Sequence, residues 1–151
     1  MFGTRADAVV DFAYIVTVLA PLFAFLSVRL VRQGRQAAHM RVQTALLAVC
    51  ALAVVALEIR IRVAGGAGKL VAGSPHAGSA LMNAVAAVHI CGAVATYLVW
   101  GWLVFLSRRR YRSLLPGAFS RKHKIAGRIV IGGLCFTTLS ATAVYRLAFW
   151  G

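Results

Sequence analysis

The sequence predicts an all-α polytopic membrane protein, a four-transmembrane-helix bundle of up-down-up-down order, and three observations carry that prediction. Of 151 residues, 61% are hydrophobic and 13% charged, where a soluble domain carries about 25% charged residues. The apolar residues gather in four runs, each meeting the roughly 20 residues needed to cross a bilayer. The charges, 17 Lys and Arg against three Asp and Glu, stand between and beside those runs. A net charge of +14 in a polar chain would point to nucleic acid; in this setting it reads as membrane topology. The whole of 1–151 is expected to form one integral membrane domain.

The first run, 9–31, begins between Asp7 and Asp11, where a signal peptide carries basic residues. Its Ser27-Val28-Arg29 end offers no small-residue cleavage site, so the segment is expected to be retained. The second run covers 42–61. A Gly-rich connection follows, in which Ser74-Pro75 predicts an N-cap and a first-turn proline for a helix that starts well outside the bilayer. Gly65-Gly66-Ala67-Gly68-Lys69 superficially resembles a phosphate loop, but Leu70 stands where a metal-binding Ser or Thr is required and no strand precedes it. The third run, 81–106, contains Trp100 and Trp102, and the fourth, 125–149, is followed by Trp150 as an interfacial belt residue. Gly92, Ala95, Gly127, Gly132 and Gly133 are the expected points of close helix packing. Cys50, Cys91 and Cys135 lie singly inside apolar runs with no CxxC, which excludes a disulfide scaffold or a zinc knuckle and leaves them as small hydrophobes.

Orientation follows from the basic residues, because cytoplasmic connections carry the excess. Arg29, Arg32, Arg35 and Arg41 flank the first connection, and Arg108, Arg109, Arg110, Arg112, Arg121, Lys122, Lys124 and Arg128 flank the third, twelve in all. Arg5, Arg60, Arg62, Lys69 and Arg146, five in all, occupy the other side. Both termini are therefore expected to face outward.

Ionisable groups inside a membrane are costly and tend to be functional. At the basic end, His39 and His123 each precede an apolar run at similar depth, so their imidazoles could meet on one metal ion or on opposite faces of a haem. The plainer alternative is a pair of interfacial histidines on lipid phosphates or helix ends. His89 stands roughly 25 Å from the basic end, too far to share one ion with them, and His76 lies beyond it. With Glu58 one turn inside the second span, His89 and His76 form a second candidate metal set. Asp11, Tyr14, Arg62, Tyr145 and Arg146 are the residues expected to line an outward-facing polar pocket around it. Here the alternative is a Glu58–Arg62 pair at i, i+4 and a His89 that only hydrogen-bonds across the bundle. No HExxH, no ExxH pair and no Ser or Cys nucleophile beside a base is present, so a catalytic role has no recognisable motif.

Four segments, taken in order, carry a resemblance: Arg35-Gln36-Ala37-Ala38-His39-Met40-Arg41-Val42, Val88-His89-Ile90, Lys122-His123-Lys124-Ile125-Ala126-Gly127 and Ala141-Thr142-Ala143-Val144-Tyr145. In these the chain resembles the domain-of-unknown-function 420 family of four-helix bacterial membrane proteins, which includes YozB-like and CtaM-like cytochrome oxidase assembly factors. The resemblance implies a role in building or supporting a haem-copper terminal oxidase in the bacterial inner membrane, with His39, His89 and His123 as the family's histidine positions. His76 does not match, and Leu57-Glu58 with Arg60 and Arg62 departs from the apolar and aromatic end of the family's second helix. The leading expectation is a non-enzymatic factor that holds haem or copper, or docks on the oxidase. The alternatives are a cytochrome-b-like haem carrier and a structural accessory subunit of a larger membrane complex. Expected partners are membrane lipids and a terminal oxidase or another membrane redox complex, with room for a homo-oligomer and none for nucleic acid.

The topology is directly testable. With the three native cysteines replaced by Ala, a single Ser113→Cys is expected to react with an impermeant maleimide only after the membrane is permeabilised; labelling in intact cells would reverse the orientation.

Overall fold

The computed structural model describes residues 5–110 and 118–150. Arg112, Ser113 and the rest of the third connection lie outside the described residues. There are four long helices, α1 (Ala8–Arg32), α2 (Gln36–Val63), α4 (Ala80–Arg110) and α5 (Ala118–Phe149), and one short helix, α3 (Ala67–Leu70), which lies with turns between α2 and α4. All four long helices are long and apolar enough to cross a membrane, and among the described residues there is no strand. The chain is an all-α polytopic bundle.

Each long helix outruns its apolar stretch, reaching 25 to 32 residues. The apolar run measures the hydrocarbon layer, about 30 Å. The helix itself continues through the Arg-, Lys- and Gln-rich flanks, which are good helix formers. Asp7 starts α1 by accepting from the N–H groups of Val9 and Val10, both at 3.1 Å, the geometry of an N-cap. Glycine ends both helices of the first hairpin. Gly34 at φ 74° and Gly65 at φ 85° occupy the left-handed region, and Arg35 N–H to Leu30 O and Gly66 N–H to Ile61 O complete a Schellman motif at each end. The start of α4 differs from the expectation. Ser79, not Ser74, is the cap, its Oγ accepting from Met82 N–H at 3.1 Å. Ser74 and Pro75 instead belong to the turns before it, with Ser74 Oγ donating to Leu147 O, in the last turn of α5, at 2.6 Å.

The helices close a ring in which α1 packs on α2 and α5, and α4 packs on α5 and α2. Among the described residues, α1 and α4 make no close backbone approach, nor do α2 and α5; these pairs are the two diagonals. One core cluster, Ala20, Ala24, Cys50, Trp100, Leu103, Val130 and Leu134, lies between the spans, and a second, Val10, Met82, Tyr145, Ala148 and Phe149, lies nearer the termini. Outside, large apolar side chains are bare: Leu52, Val63, Leu98 and Leu139 are each more than two-thirds exposed. Such a surface suits hydrocarbon rather than water.

Two of the expected small-residue contacts are formed. A Cβ on Gly92 would run into the Phe136 ring, and one on Gly133 would lie 2.5 Å from Thr96 Oγ1, so α4 and α5 approach closely at those two points. Gly127 and Gly132 face open space and Ala95 is exposed, because one seam takes only one face of each helix. Pro21 sits inside α1, where its missing N–H withdraws the helical bond to the carbonyl of Thr17. Thr138 of α5 supplies the replacement, donating its hydroxyl to Thr17 O at 2.8 Å.

Neighbouring glycines test this seam. Gly133→Ala must displace the β-branched Thr96 and is expected to cost about 1–3 kcal/mol. Gly132→Ala, next to it but facing open space, is expected to be neutral or to stabilise by about 0.5–1 kcal/mol. Unfolding of both variants in the same micelle measures the difference, and equal shifts would contradict the register.

Candidate functional site

The basic end of the bundle brings together side chains from all four spans. On α2, His39, Gln43, Leu46, Leu47 and Cys50 recur at helical spacing, and of these Leu46, Leu47 and Cys50 belong to the core. His39 Nδ1 lies 3.0 Å from Ser27 O of α1. A carbonyl can only accept, so Nδ1 carries the proton and, in the neutral ring, Nε2 carries the lone pair. His123 of α5 places its Nδ1 3.1 Å from Ser107 Oγ of α4. The two rings stand edge to face, centroids 6.4 Å apart and planes at 81°. They meet across a diagonal of the bundle, not between packed neighbours as parallel helices of one pair would be, so the side chains alone span the gap.

One turn deeper, the hydrogen bonds fix one another's direction. The indole of the buried Trp100 is a donor only, so its bond of 2.8 Å to Gln43 Oε1 settles which side of the amide is oxygen. Gln43 Nε2 then donates to Ser27 Oγ at 2.6 Å, and Ser27 Oγ passes its own proton to Ala24 O at 2.7 Å. Ser27 thus holds Gln43 through its hydroxyl and His39 through its carbonyl. This second layer, Ser27, Gln43, Trp100 and Ser107, was not anticipated from the sequence. The available signal was a polar Gln43 one turn beyond His39 inside an apolar run. Trp100 and Trp102, two positions apart, separate to opposite roles, one buried and one 63% exposed.

These residues fit a metal or the iron of a haem in one specific sense. An imidazole nitrogen sits about 2.0–2.1 Å from a bound ion, and two such bonds with their ring radii span about 6 Å when both nitrogens lie on the line between the rings. The observed centroid separation therefore matches in distance, and ligation by both would require each ring to turn its Nε2 edge toward the ion. His39 Nδ1–H donates to a carbonyl, which is the usual outer-shell arrangement for histidine ligation through Nε2. The Ser107 hydroxyl can either donate to or accept from His123 Nδ1, and ligation through His123 Nε2 requires that it accept. Among the described residues no three His, Cys, Asp or Glu side chains gather around one point, so an ion between these two rings would take at most two of its ligands from such side chains among them.

The residues expected to line an outer pocket fall into separate contacts. Asp11, buried to 1% exposure, accepts from Tyr145 OH at 2.5 Å, and Tyr14 stacks on Tyr145 with centroids 4.3 Å apart while its hydroxyl meets Thr142 Oγ1 at 3.2 Å. These four belong to the α1–α5 seam. Glu58 is paired with Arg62, with Nη2 to Oε1 at 2.7 Å, on an exposed face of α2. His89 Nδ1 meets Ser140 Oγ at 2.9 Å between α4 and α5. Arg146 lies over the Trp150 ring at 5.6 Å. His76 sits in the turns before α4, its backbone N–H donating to Ser74 Oγ.

A further ion pair, between Asp7 and Arg60, ties the start of α1 to the end of α2 and was not foreseen, since nothing in local spacing joins residues so distant in sequence. Burial works to raise the Asp7 carboxyl, but the N–H groups of Val10 and Val9 and the Arg60 guanidinium outweigh it and hold the group below its ordinary value.

No family model, no curated protein and no solved structure matches the chain.

A carboxyl held low in the folded state stabilises fully above its ordinary pKa, and that contribution disappears as the pH falls through the lowered folded value. Asp7→Asn keeps the capping oxygen and removes the charge, so it is expected to flatten the acid limb of a stability profile. Asp7→Ala also removes the cap and should cost about 1 kcal/mol more at neutral pH. Identical acid limbs in the native chain and Asp7→Asn would show that the ion pair carries no such linkage.

Proposed function

We propose that this chain is a multi-pass protein of the bacterial cytoplasmic membrane that assists the maturation or support of a haem-copper oxidase or another respiratory redox complex. In this reading it holds copper or haem iron at His39 and His123 on the cytoplasmic side. The observation that carries it is the meeting of these two imidazoles across the bundle, each oriented by its own Nδ1 hydrogen bond.

Imidazole nitrogens suit copper, iron, nickel and zinc, whereas a permanent structural zinc site closes its coordination with four protein ligands. A pair of ligands at the end of a bundle leaves positions for groups of another molecule, which is what receiving and releasing a metal requires. The twelve-to-five distribution of basic residues supports the orientation, and the order of the histidine-bearing segments supports the link to oxidase assembly through the family resemblance.

The purified protein is expected to carry metal or to show a Soret band. His39→Ala and His123→Ala should each abolish it, and the double variant should lose nothing further, because the two residues act as one unit. A Soret band chooses haem iron and bound copper without one chooses the ion. Small, additive losses of stability with no change in metal content or spectrum would end this reading.

A further inference from the structure

The two ends of the molecule are electrostatically unlike. The three carboxylates of the sequence, Asp7, Asp11 and Glu58, all belong to the end that carries the start of α1, and Arg60 and Arg62 are paired there. At the opposite end the described residues include eleven Lys and Arg, and the ten whose burial is described are all exposed; no side-chain carboxylate of the chain lies near enough in sequence or fold to answer them. Like charges within about a Debye length, roughly 10 Å, repel one another, so this many cations need an external anion.

Their arrangement indicates which. A protein or nucleic acid would be met by a patch on one face, whereas these cations ring the bundle: Arg32 on α1, Arg41 on α2, Arg109 on α4 and Lys124 on α5 all stand where the apolar runs stop. On α4 the outer surface is graded. Trp102, 63% exposed, stacks on Phe105 with centroids 6.0 Å apart, and the Arg109 guanidinium lies over that same Phe105 ring at 5.3 Å. The stripe passes from apolar ring to cation within two turns, the order that a lipid presents from acyl chain to phosphate. Guanidinium is well matched to phosphate oxygens.

From this we infer that the basic end binds anionic phospholipid, its cations gathering headgroup phosphates around the bundle and the Trp102–Phe105–Arg109 stripe seating one lipid. Each cation near such a surface should raise the preference for anionic lipid roughly fivefold. The inference does not depend on a metal or haem at the histidines.

The test uses the full chain in bilayers of phosphatidylcholine with a minor fraction of phosphatidylglycerol, reading the ratio of the two lipids retained after detergent extraction. The native chain should enrich phosphatidylglycerol, and 1 M salt should erase the enrichment. Arg108→Gln with Arg109→Gln, and separately Lys122→Gln with Lys124→Gln, should reduce it roughly fivefold for each cation removed, while Lys69→Gln at the other end leaves it unchanged. Equal retention of both lipids by the native chain would overturn the inference, as would enrichment that survives high salt, loss of enrichment when inorganic phosphate is added at equal ionic strength, or retention of a stoichiometric acidic protein in place of lipid. The salt titration needs no variant, so it decides the matter even if a substituted chain fails to fold.

Discussion

Within a hydrocarbon layer every backbone and side-chain polar group has to find its hydrogen-bond partner inside the protein, and the interior of this bundle is organised by that requirement. Thr17, Thr44, Thr96 and Thr137 return their hydroxyls to carbonyls one turn back on their own helices. Other polar groups join one helix to another, and of these Ser140 and Thr142 also donate back to carbonyls of their own helix. Tyr145 to Asp11 and Tyr14 to Thr142 set α1 against α5, His89 to Ser140 and Ser107 to His123 set α4 against α5, and Gln43 joins α1, α2 and α4 at once. Apolar packing between helices in lipid is only weakly directional. The register of each seam therefore rests on these few bonds and on the two glycine contacts.

That requirement also explains the character of the histidine pair. His39 and His123 are half-buried at the end of the bundle, each tied by one ring nitrogen to a neighbouring helix. A side chain so tied loses little further rotamer freedom when a ligand arrives, which is how preorganised sites gain affinity. Since the described residues of α2 and α5 do not touch through their backbones, the rings are placed by α1 and α4 instead, and the meeting of the two rings depends on all four spans being in register.

How much of this was legible in the sequence follows the range of the interactions. The four spans, the convergence of His39 and His123 at one end, and the Glu58–Arg62 pair depend on composition, order and i, i+4 spacing, and all could be read locally. The helix ends could not be read from hydropathy, because Gln36 to Arg41 and Ala118 to Lys124 are helical without being apolar. Five small residues were equally plausible contacts, and only the rotation of α4 against α5 selected Gly92 and Gly133. The outer pocket expected around Glu58 and His89 joined residues by depth alone. Depth fixes height along the bundle and says nothing about which way a side chain turns. The supporting layer of Ser27, Gln43 and Ser107 escaped notice for the same reason: each is an ordinary polar residue until a neighbouring helix supplies its partner.

The bond from Thr138 to Thr17 has a consequence for how this chain can vary. A proline at position 21 and a hydroxyl at position 138 are two halves of one solution, since the first removes an amide and the second replaces the proton it would have given. A sequence that regained the amide would release position 138 to become Val or Ala, and one that lost the hydroxyl first would carry a bare carbonyl in oil. The two positions, on the first and last helices, are in this sense a single heritable character, with an order in which its parts can safely be lost.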